Sequence, residues 1–382
     1  MEKHITVDLA LNTAAFTLSA TATPLAAPAP GVAAANAKTY RKGTYDSRVT
    51  GKSGKGAAMI DWTFARSGLC ALVIVATLLL AACNGSTAGR SLLPSDAQSS
   101  LAVSAKVAKG PLLYATDAGN NIVYIISLPG GKLVGKLTGF DQPQGDCADA
   151  KGDVFVTDTQ AKEIVAYHHA AKEAYEVLND PDFLPVGCAV NPVTGDLAVA
   201  NCCSASTATQ PTVAIYKHAK GSASGYIVTD FDQLGFCTYD GHGNLFVDGI
   251  NSYESAVAEL VAGKHKFQNI TLNQSLGGQN ISGIFWDGDY LAVGSQSAGA
   301  IYRFVIGGTK GTKVGTTRLN GGQWPGGFWI QTVDSVRSVY TPFWSSSSAG
   351  VGVYRYPKGG SPTKRLYAAL HPFAVTVSLP AQ

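Results

Sequence analysis

The stretch Leu113-Tyr114-Ala115-Thr116-Asp117 decides the fold, because versions of it recur along the chain. Each version is a short apolar run that ends at a small or polar residue, and successive versions begin 41, 43, 48, 46 and 48 residues apart. A period of about 40–50 residues in strand-like sequence indicates a repeat fold such as a β-propeller. The later copies are Val154-Phe155-Val156-Thr157-Asp158, Leu197-Ala198-Val199-Ala200-Asn201, Leu245-Phe246-Val247-Asp248, Leu291-Ala292-Val293-Gly294 and Val339-Tyr340-Thr341-Pro342.

Each copy lies between further strand-like runs. An alternating run follows it, as at Ile122–Ile126, and a run of small residues precedes the later copies, as at Gly145–Ala148. The first copy lacks this preceding run, whereas Pro372–Val377 stands where a seventh copy would begin. A C-terminal strand that joins the first blade would remove the open sheet edges. The sequence therefore predicts an all-β fold for residues 109–382, a six-bladed β-propeller with four-stranded blades, closed by the C-terminal strand.

The composition agrees with this fold class and excludes others. The 382 residues are 46% apolar and only 14% charged, with 43 glycines, which argues against coiled coils and charge-driven disorder. A β-helix has shorter coils, and a β-sandwich needs no such repeat. Residues 84–382 hold 21 Lys and Arg against 22 Asp and Glu, so no basic surface supports nucleic-acid binding.

The segment 69–82 is an apolar run of 14 residues, shorter than the roughly 20 that cross a bilayer. Arg66 precedes it, and Leu80-Ala81-Ala82-Cys83 ends it, which resembles the lipobox of bacterial lipoproteins. That resemblance implies cleavage before Cys83 and lipidation of its thiol and new amino group. A buried helix or an uncleaved anchor is the alternative.

The residues before and after this apolar segment indicate where the N-terminal regions of the chain begin and end. Met59 is the only methionine besides Met1 and stands where a signal peptide would start. We therefore interpret 1–58 as a disordered leader or an over-extended gene start and 59–82 as the signal peptide. Residues 83–108 would form the lipidated cysteine and a flexible tether.

The propeller segment resembles a known repeat family. Leu113–Ile122 is similar to the NHL repeat signature, and Asp149–Asp158 and Asp240–Asp248 are similar to its neighbouring turn and strand. NHL-type propellers serve as binding modules, and the related SMP-30-like lactonases bind a divalent cation in the central channel through a glutamate. Here the glutamates of the propeller segment fall outside the predicted innermost strands, which puts the enzymatic activity in doubt.

One rim of the propeller is expected to collect polar side chains. Asp117, Asp158, Asn201 and Asp248 end the repeated strand, so they would either bind a cation or polar ligand or cap their own turns. The loops before the innermost strands would add side chains that suit a sugar or aryl ligand, namely Gln144, Asn280, Trp324 and His371.

Five cysteines remain beyond Cys70 and Cys83. Cys147, Cys188 and Cys237 fall on predicted innermost strands of adjacent blades, and Cys202 and Cys203 lie in one loop. We expect disulfides among these five, either between neighbouring blades or to the Cys202-Cys203 pair, with one thiol left over.

These features predict an exported lipoprotein, anchored by lipid in the bacterial cell envelope. Its propeller would be a monomeric scaffold that binds a protein or glycan ligand, with no catalytic residue and no cofactor. The alternative is a divalent-metal lactonase, hydrolase or lyase of the SMP-30-like type. It would use calcium held by Asp117, Asp158, Asn201 and Asp248, with His371 as the base.

Overall fold

The chain was analysed in a computed structural model that describes residues 109–381 except 182, 205–210, 229, 279, 281, 322–325, 345–347 and 367–370. The expected leader, signal peptide, lipidated Cys83 and tether lie outside the described residues, as does Trp324. The described part contains strands throughout, with one short 3-10 helix at Lys217–Ala219.

The strands follow the repeated pattern of the sequence. The first eight are β1 (Leu112–Asp117), β2 (Ile122–Ser127), β3 (Lys132–Thr138), β4 (Pro143–Ala148), β5 (Val154–Asp158), β6 (Glu163–Tyr167), β7 (Ala174–Asn179) and β8 (Phe183–Val190). The next eight are β9 (Leu197–Ser204), β10 (Thr212–Tyr216), β11 (Ser224–Ile227), β12 (Gln233–Tyr239), β13 (Leu245–Asn251), β14 (Glu254–Leu260), β15 (Gln268–Leu272) and β16 (Ile284–Trp286). The last eight are β17 (Leu291–Ser295), β18 (Ala300–Gly307), β19 (Lys310–Arg318), β20 (Trp329–Val333), β21 (Val336–Trp344), β22 (Ala349–Arg355), β23 (Lys364–Leu366) and β24 (Pro372–Ser378).

Small antiparallel sheets are arranged as in a β-propeller. Four sheets have four strands each, in the orders β24-β1-β2-β3, β4-β5-β6-β7, β11-β10-β9-β8 and β20-β21-β22-β23. The innermost strands contact one another along the series β24, β4, β8, β12 and β16, and β20 contacts β24. The apolar cores lie between neighbouring sheets, where Tyr114 of β1 packs with Val154 of β5 and Phe155 of β5 packs with Val199 of β9.

The number of separate sheets differs from the six that we expected. A fifth sheet contains eight strands, because β15 pairs in parallel with β19. Thr271 faces Lys310 and Leu272 faces Gly311 across this contact. The hairpin of β18 and β19 has strands of 8 and 9 residues, so its tip extends far enough to hydrogen-bond to the neighbouring outer strand.

The closure of the fold also differs from the expected single pairing. Strand β24 pairs antiparallel with β1, and its residue Ala374 forms in addition a parallel bridge to Gly327, just before β20. Val375 N–H donates to the Gly327 carbonyl at 2.8 Å. A Cβ atom at position 327 would lie 2.5 Å from the Ala374 Cβ. The absence of a side chain at Gly327 therefore allows the C-terminal strand to bind two sheets.

Substitution of Gly187 by alanine is expected to destabilise the fold, because the new Cβ would lie 2.6 Å from the Gly235 carbonyl oxygen. Overpacking of this kind costs about 1–3 kcal/mol. A methyl group added at Gly225 of the outer strand β11 would meet no atom within 4 Å, so Gly225→Ala is the matched control. Urea unfolding should show a lower free energy of unfolding for Gly187→Ala alone. Equal effects of the two substitutions would contradict the close approach of the innermost strands.

Candidate functional site

An aromatic-lined cavity lies between the innermost strands. Its volume is about 370 Å³, within the roughly 300–1,000 Å³ of small-molecule sites. The cavity is lined by residues of β4, β8, β12, β16, β20 and β24, so the innermost strands of successive repeats all contribute to it. Its aromatic members are Phe236, Tyr239, Phe285, Trp286, Phe328 and Trp329.

The aromatic rings of β16 and β20 hold one another in place. The ring of Phe285 meets Trp329 edge to face with centroids 4.8 Å apart, and Trp286 stacks on Phe246 at 6.2 Å. The backbone N–H of Trp286 donates to the Thr238 hydroxyl at 3.0 Å, which fixes β16 against β12. Phe285, Trp286 and Trp329 are half-buried, so part of each ring remains available to a ligand.

Two of the cavity cysteines join neighbouring innermost strands. Cys147 of β4 and Cys188 of β8 form a disulfide with their Cα atoms 5.6 Å apart, which is one of the pairings between adjacent blades that we expected. Cys237 of β12 is a free, buried thiol, and burial raises its pKa above the usual range. Cys202 and Cys203 are also free.

Asp146 is a buried carboxyl group among the residues that line the cavity. Burial raises its pKa well above the ordinary value, and the nearby backbone of Thr376 lowers it by less. Within the described residues, neither carboxyl oxygen forms a hydrogen bond of ordinary geometry, and the Thr376 hydroxyl is likewise unpaired. An unpaired buried carboxylate is costly, so burial favours the neutral, protonated form of Asp146 over the ionised one.

The predicted rim carboxylates bind the backbone of the protein. Asp117 accepts the N–H groups of Asn120 and His371, both at 3.1 Å. Asp158 accepts the Asp141 N–H at 2.8 Å, and Asp248 accepts the Phe236 N–H at 2.6 Å.

The pKa values of two of these carboxyl groups reflect their surroundings. Burial raises the pKa of Asp158 to about 7 and that of Asp248 to about 7, while backbone N–H donors oppose the shift in both. The side-chain amide of the buried Asn201 donates to the Thr212 hydroxyl at 3.3 Å. Among the described residues, no group of three or more His, Cys, Asp or Glu side chains is arranged to hold a metal ion.

The other predicted rim residues lie outside the aromatic cavity. Gln144 and Asn280 act through their backbone carbonyls, which accept the hydroxyls of Thr116 and Ser255 at 2.9 and 2.7 Å. The exposed His371 packs its ring edge to face against Trp344 at 6.1 Å. None of the seven described rim residues lines the cavity, which extends instead toward the turns after β12 and β16.

The sequence contained a signal for the cavity that our rim prediction did not use. Aromatic residues follow the glycines of three innermost strands, as in Gly235-Phe236, Gly283-Ile284-Phe285-Trp286 and Gly327-Phe328-Trp329. Since these strands surround the centre of a propeller, large side chains beside the glycines were candidates to line it. Asp146 had no comparable signal, because a single aspartate in a strand does not reveal its burial.

Comparisons with known proteins support the β-propeller fold but identify no family and no function. No protein-family model matches the sequence, and no curated protein matches it. A structure of a protein of unknown function from Bacteroides caccae is similar to it, with a TM-score of 0.53, 12% identity and coverage of 70% of this chain and 99% of that one. The hydrazine synthase of Kuenenia stuttgartiensis is similar with a TM-score of 0.51, 14% identity and coverage of 64% and 80%. At these identities the similarity extends to the β-propeller fold alone.

Replacement of Asp146 by asparagine is expected to stabilise the protein above neutral pH. The raised pKa means that stability from protonated Asp146 is fully present below about pH 4, the unfolded value, and is lost as pH rises. Asparagine cannot ionise, so at pH 8 the free energy of unfolding should rise by about 1–3 kcal/mol. Near pH 4, where both side chains are neutral, the two proteins should be similar.

Urea unfolding between pH 4 and 8 measures this difference. Asp158 and Asp248 make the stability of both proteins fall over the same range, so the difference between them isolates Asp146. An Asp146→Asn protein that is less stable at pH 8 than at pH 4 by as much as the parent would contradict the buried, neutral carboxyl.

Proposed function

We propose that this protein is a lipid-anchored binding module of the bacterial cell envelope, and that its propeller holds a small ring-containing ligand in the central cavity. The observation that carries this proposal is the cavity of about 370 Å³ with Phe285, Trp286 and Trp329 half-exposed in it. Aromatic side chains offer apolar faces on which sugar or aryl rings stack.

The ionisable groups of the cavity favour a neutral ligand. Burial raises the pKa of Asp146, and Asp240 accepts the N–H groups of His242 and Asn244, both at 2.8 Å. No lysine or arginine is among the described residues that line the cavity. An anionic ligand would lose its hydration here without gaining a cationic partner, whereas a neutral ring would lose little.

We further propose that the fold is a six-bladed propeller of the NHL type. Six innermost strands, β24, β4, β8, β12, β16 and β20, support this number of blades. In that count, the eight-stranded sheet is two blades joined along their outer strands. The turns at Asp149–Gly152 and Asp240–Gly243 resemble those of NHL repeats, whose propellers are binding modules.

The proposed location in the cell envelope is inferred from the sequence that precedes the propeller. The run 69–82 with Cys83 has the features of a lipoprotein signal, and the disulfide between Cys147 and Cys188 is compatible with an oxidising compartment. The 25 residues of 84–108 would form a flexible tether of about 25–30 Å average span. Within the described part of the chain, no helix has the length and apolar character to cross a membrane.

Lipidation at Cys83 is tested by substitution with alanine in a bacterial host. The parent chain should partition with the membrane fraction and begin at a modified Cys83, because acyl chains there would anchor it. Cys83→Ala should remain unprocessed, since the lipidation step needs the thiol. Cys70→Ala is the matched control and should behave as the parent. Mass spectrometry of the N-terminal peptide decides, and an unmodified Cys83 in an uncleaved chain would overturn the proposed anchor.

Ligand binding in the cavity is tested with N-phenylnaphthylamine, a neutral aromatic probe whose fluorescence rises in apolar surroundings. We expect saturable binding to the parent protein and a Kd raised about tenfold in Trp329→Ala, equal to about 1.4 kcal/mol. Tyr253, 74% exposed, lies outside the cavity in the turn after β13, the strand that carries Asp248 of the predicted rim, so Tyr253→Ala should leave the Kd unchanged. Circular dichroism verifies that both variants fold. Loss of binding in Tyr253→Ala but not in Trp329→Ala would place the site on the rim and overturn the cavity proposal.

A further inference from the structure

Two adjacent free cysteines at the end of β9 bring their sulfur atoms together. The Sγ atoms of Cys202 and Cys203 are 2.7 Å apart, and both residues are half-buried. Neighbouring side chains in a regular strand point to opposite faces of the sheet, which would keep two such sulfurs apart. The local backbone must therefore depart from a regular strand.

A β-bulge provides that departure. Ser204 pairs with Phe183 and Asn201 pairs with Pro185, so Cys202 and Cys203 together face the single residue Leu184. A bulge of two residues against one re-aims a side chain and bends the strand locally. On the other side of β9, the pairing with β10 ends at Asn201 as far as the described residues show it.

The extra residue on β9 distinguishes this bulge from those of the neighbouring sheets. The pairings of β4 with β5 and of β12 with β13 are also irregular, between Pro143 and Gly145 and between Leu234 and Cys237, but there the extra residue lies on the innermost strand. Bulges that re-aim side chains are common beside functional sites. The extra residue and the paired cysteines thus occur together at one place in the propeller.

The two thiols are electronically unequal. Their shared hydrogen bond lowers the pKa of Cys203 and raises the pKa of Cys202, and burial opposes the ionisation of both. The thiolate is the nucleophile in disulfide exchange, and a hydrogen bond from the neighbouring thiol stabilises it. Cys237, the third free cysteine of the described chain, is buried, and its pKa is raised by that burial.

We propose that Cys202 and Cys203 form a vicinal redox site that reacts with disulfide compounds and closes to a disulfide between adjacent residues. The thiolate of one cysteine attacks one sulfur of the disulfide reagent, forms a mixed disulfide and releases one thiolate. The thiol of the other cysteine then loses its proton to solvent, and its sulfur attacks the first cysteine's sulfur in the mixed disulfide, which releases the second thiolate. The protein pair is oxidised by two electrons, and the reagent is reduced to two thiols.

The experiment uses the full chain with dithiobis(nitrobenzoate), an aromatic disulfide whose released thiolate is coloured. The tryptic peptide 173–217 contains both cysteines and stays joined through Cys188 to the peptide of Cys147, and this pair of peptides is analysed by mass spectrometry without reduction. We expect two coloured thiolates to be released for the vicinal pair and the peptide to lose two hydrogen atoms, with no nitrothiobenzoate retained. The proposal is equally supported if the peptide already lacks two hydrogen atoms before the reagent is added and regains them after mild reduction.

Single substitutions separate a redox pair from two independent thiols. Cys202→Ser and Cys203→Ser should each release one thiolate and retain one nitrothiobenzoate group on the remaining cysteine, because no second thiol is present to displace it. Cys237→Ser, which removes a thiol elsewhere, should behave as the parent at 202 and 203. Circular dichroism confirms that each variant folds. Retention of an adduct on the parent pair, or no reaction of either thiol in the folded protein, would overturn the proposal. The mass changes of the 173–217 peptide depend neither on the cavity nor on the lipid anchor.

Discussion

The close approach of polypeptide backbones at the centre of the propeller is the constraint on which the rest of the structure depends. Gly187 lies against Gly235 and Phe236, and Gly327 lies against Ala374, at distances that leave no room for a Cβ atom. Each sheet has its innermost strand at this crowded centre and its further strands at increasing distance from it. The outer strands β3 and β7 consist mostly of exposed or half-buried residues, whereas β1 and β5 are buried along their whole length.

Recurring polar residues serve to join the sheets to one another. The Thr116 hydroxyl donates to the Gln144 carbonyl, and the Thr157 hydroxyl donates to the Val186 carbonyl, both at 2.9 Å and both to the next innermost strand. Asp158 instead accepts the N–H of Asp141, which lies in the loop that leads into β4 of its own sheet. Because the repeat uses these residues for structure, the groups that remain for chemistry are the ones that do not recur. Asp146, the tryptophans of the cavity and the Cys202-Cys203 pair all belong to that second class.

The sequence predicted the parts of the structure that follow from local periodicity. The repeated strands at Leu113, Val154 and Leu197, the glycines before them and the possibility of a disulfide between adjacent innermost strands could all be inferred from spacing. The parallel pairing of β15 with β19 could not, because it depends on how far one hairpin extends toward its neighbour. The rim residues were predicted to lie together, but whether Asp117 faces a ligand or the His371 N–H is decided by three-dimensional contacts. The same holds for Asp146, whose burial depends on β24, more than 200 residues later in the chain.

The pairing of β1 with β24 determines when the first sheet can be completed during synthesis of the chain. Asp117, at the end of β1, is separated from Pro372, at the start of β24, by 255 positions. At roughly 5–20 residues per second, the ribosome needs about 10–50 s to make that interval, and during it the inner edge of β1 has no native partner. An unpaired strand edge is a template for β-strands of other chains. While this protein is being made, the inner edge of β1 therefore stays open to such pairing until β24 has been synthesised.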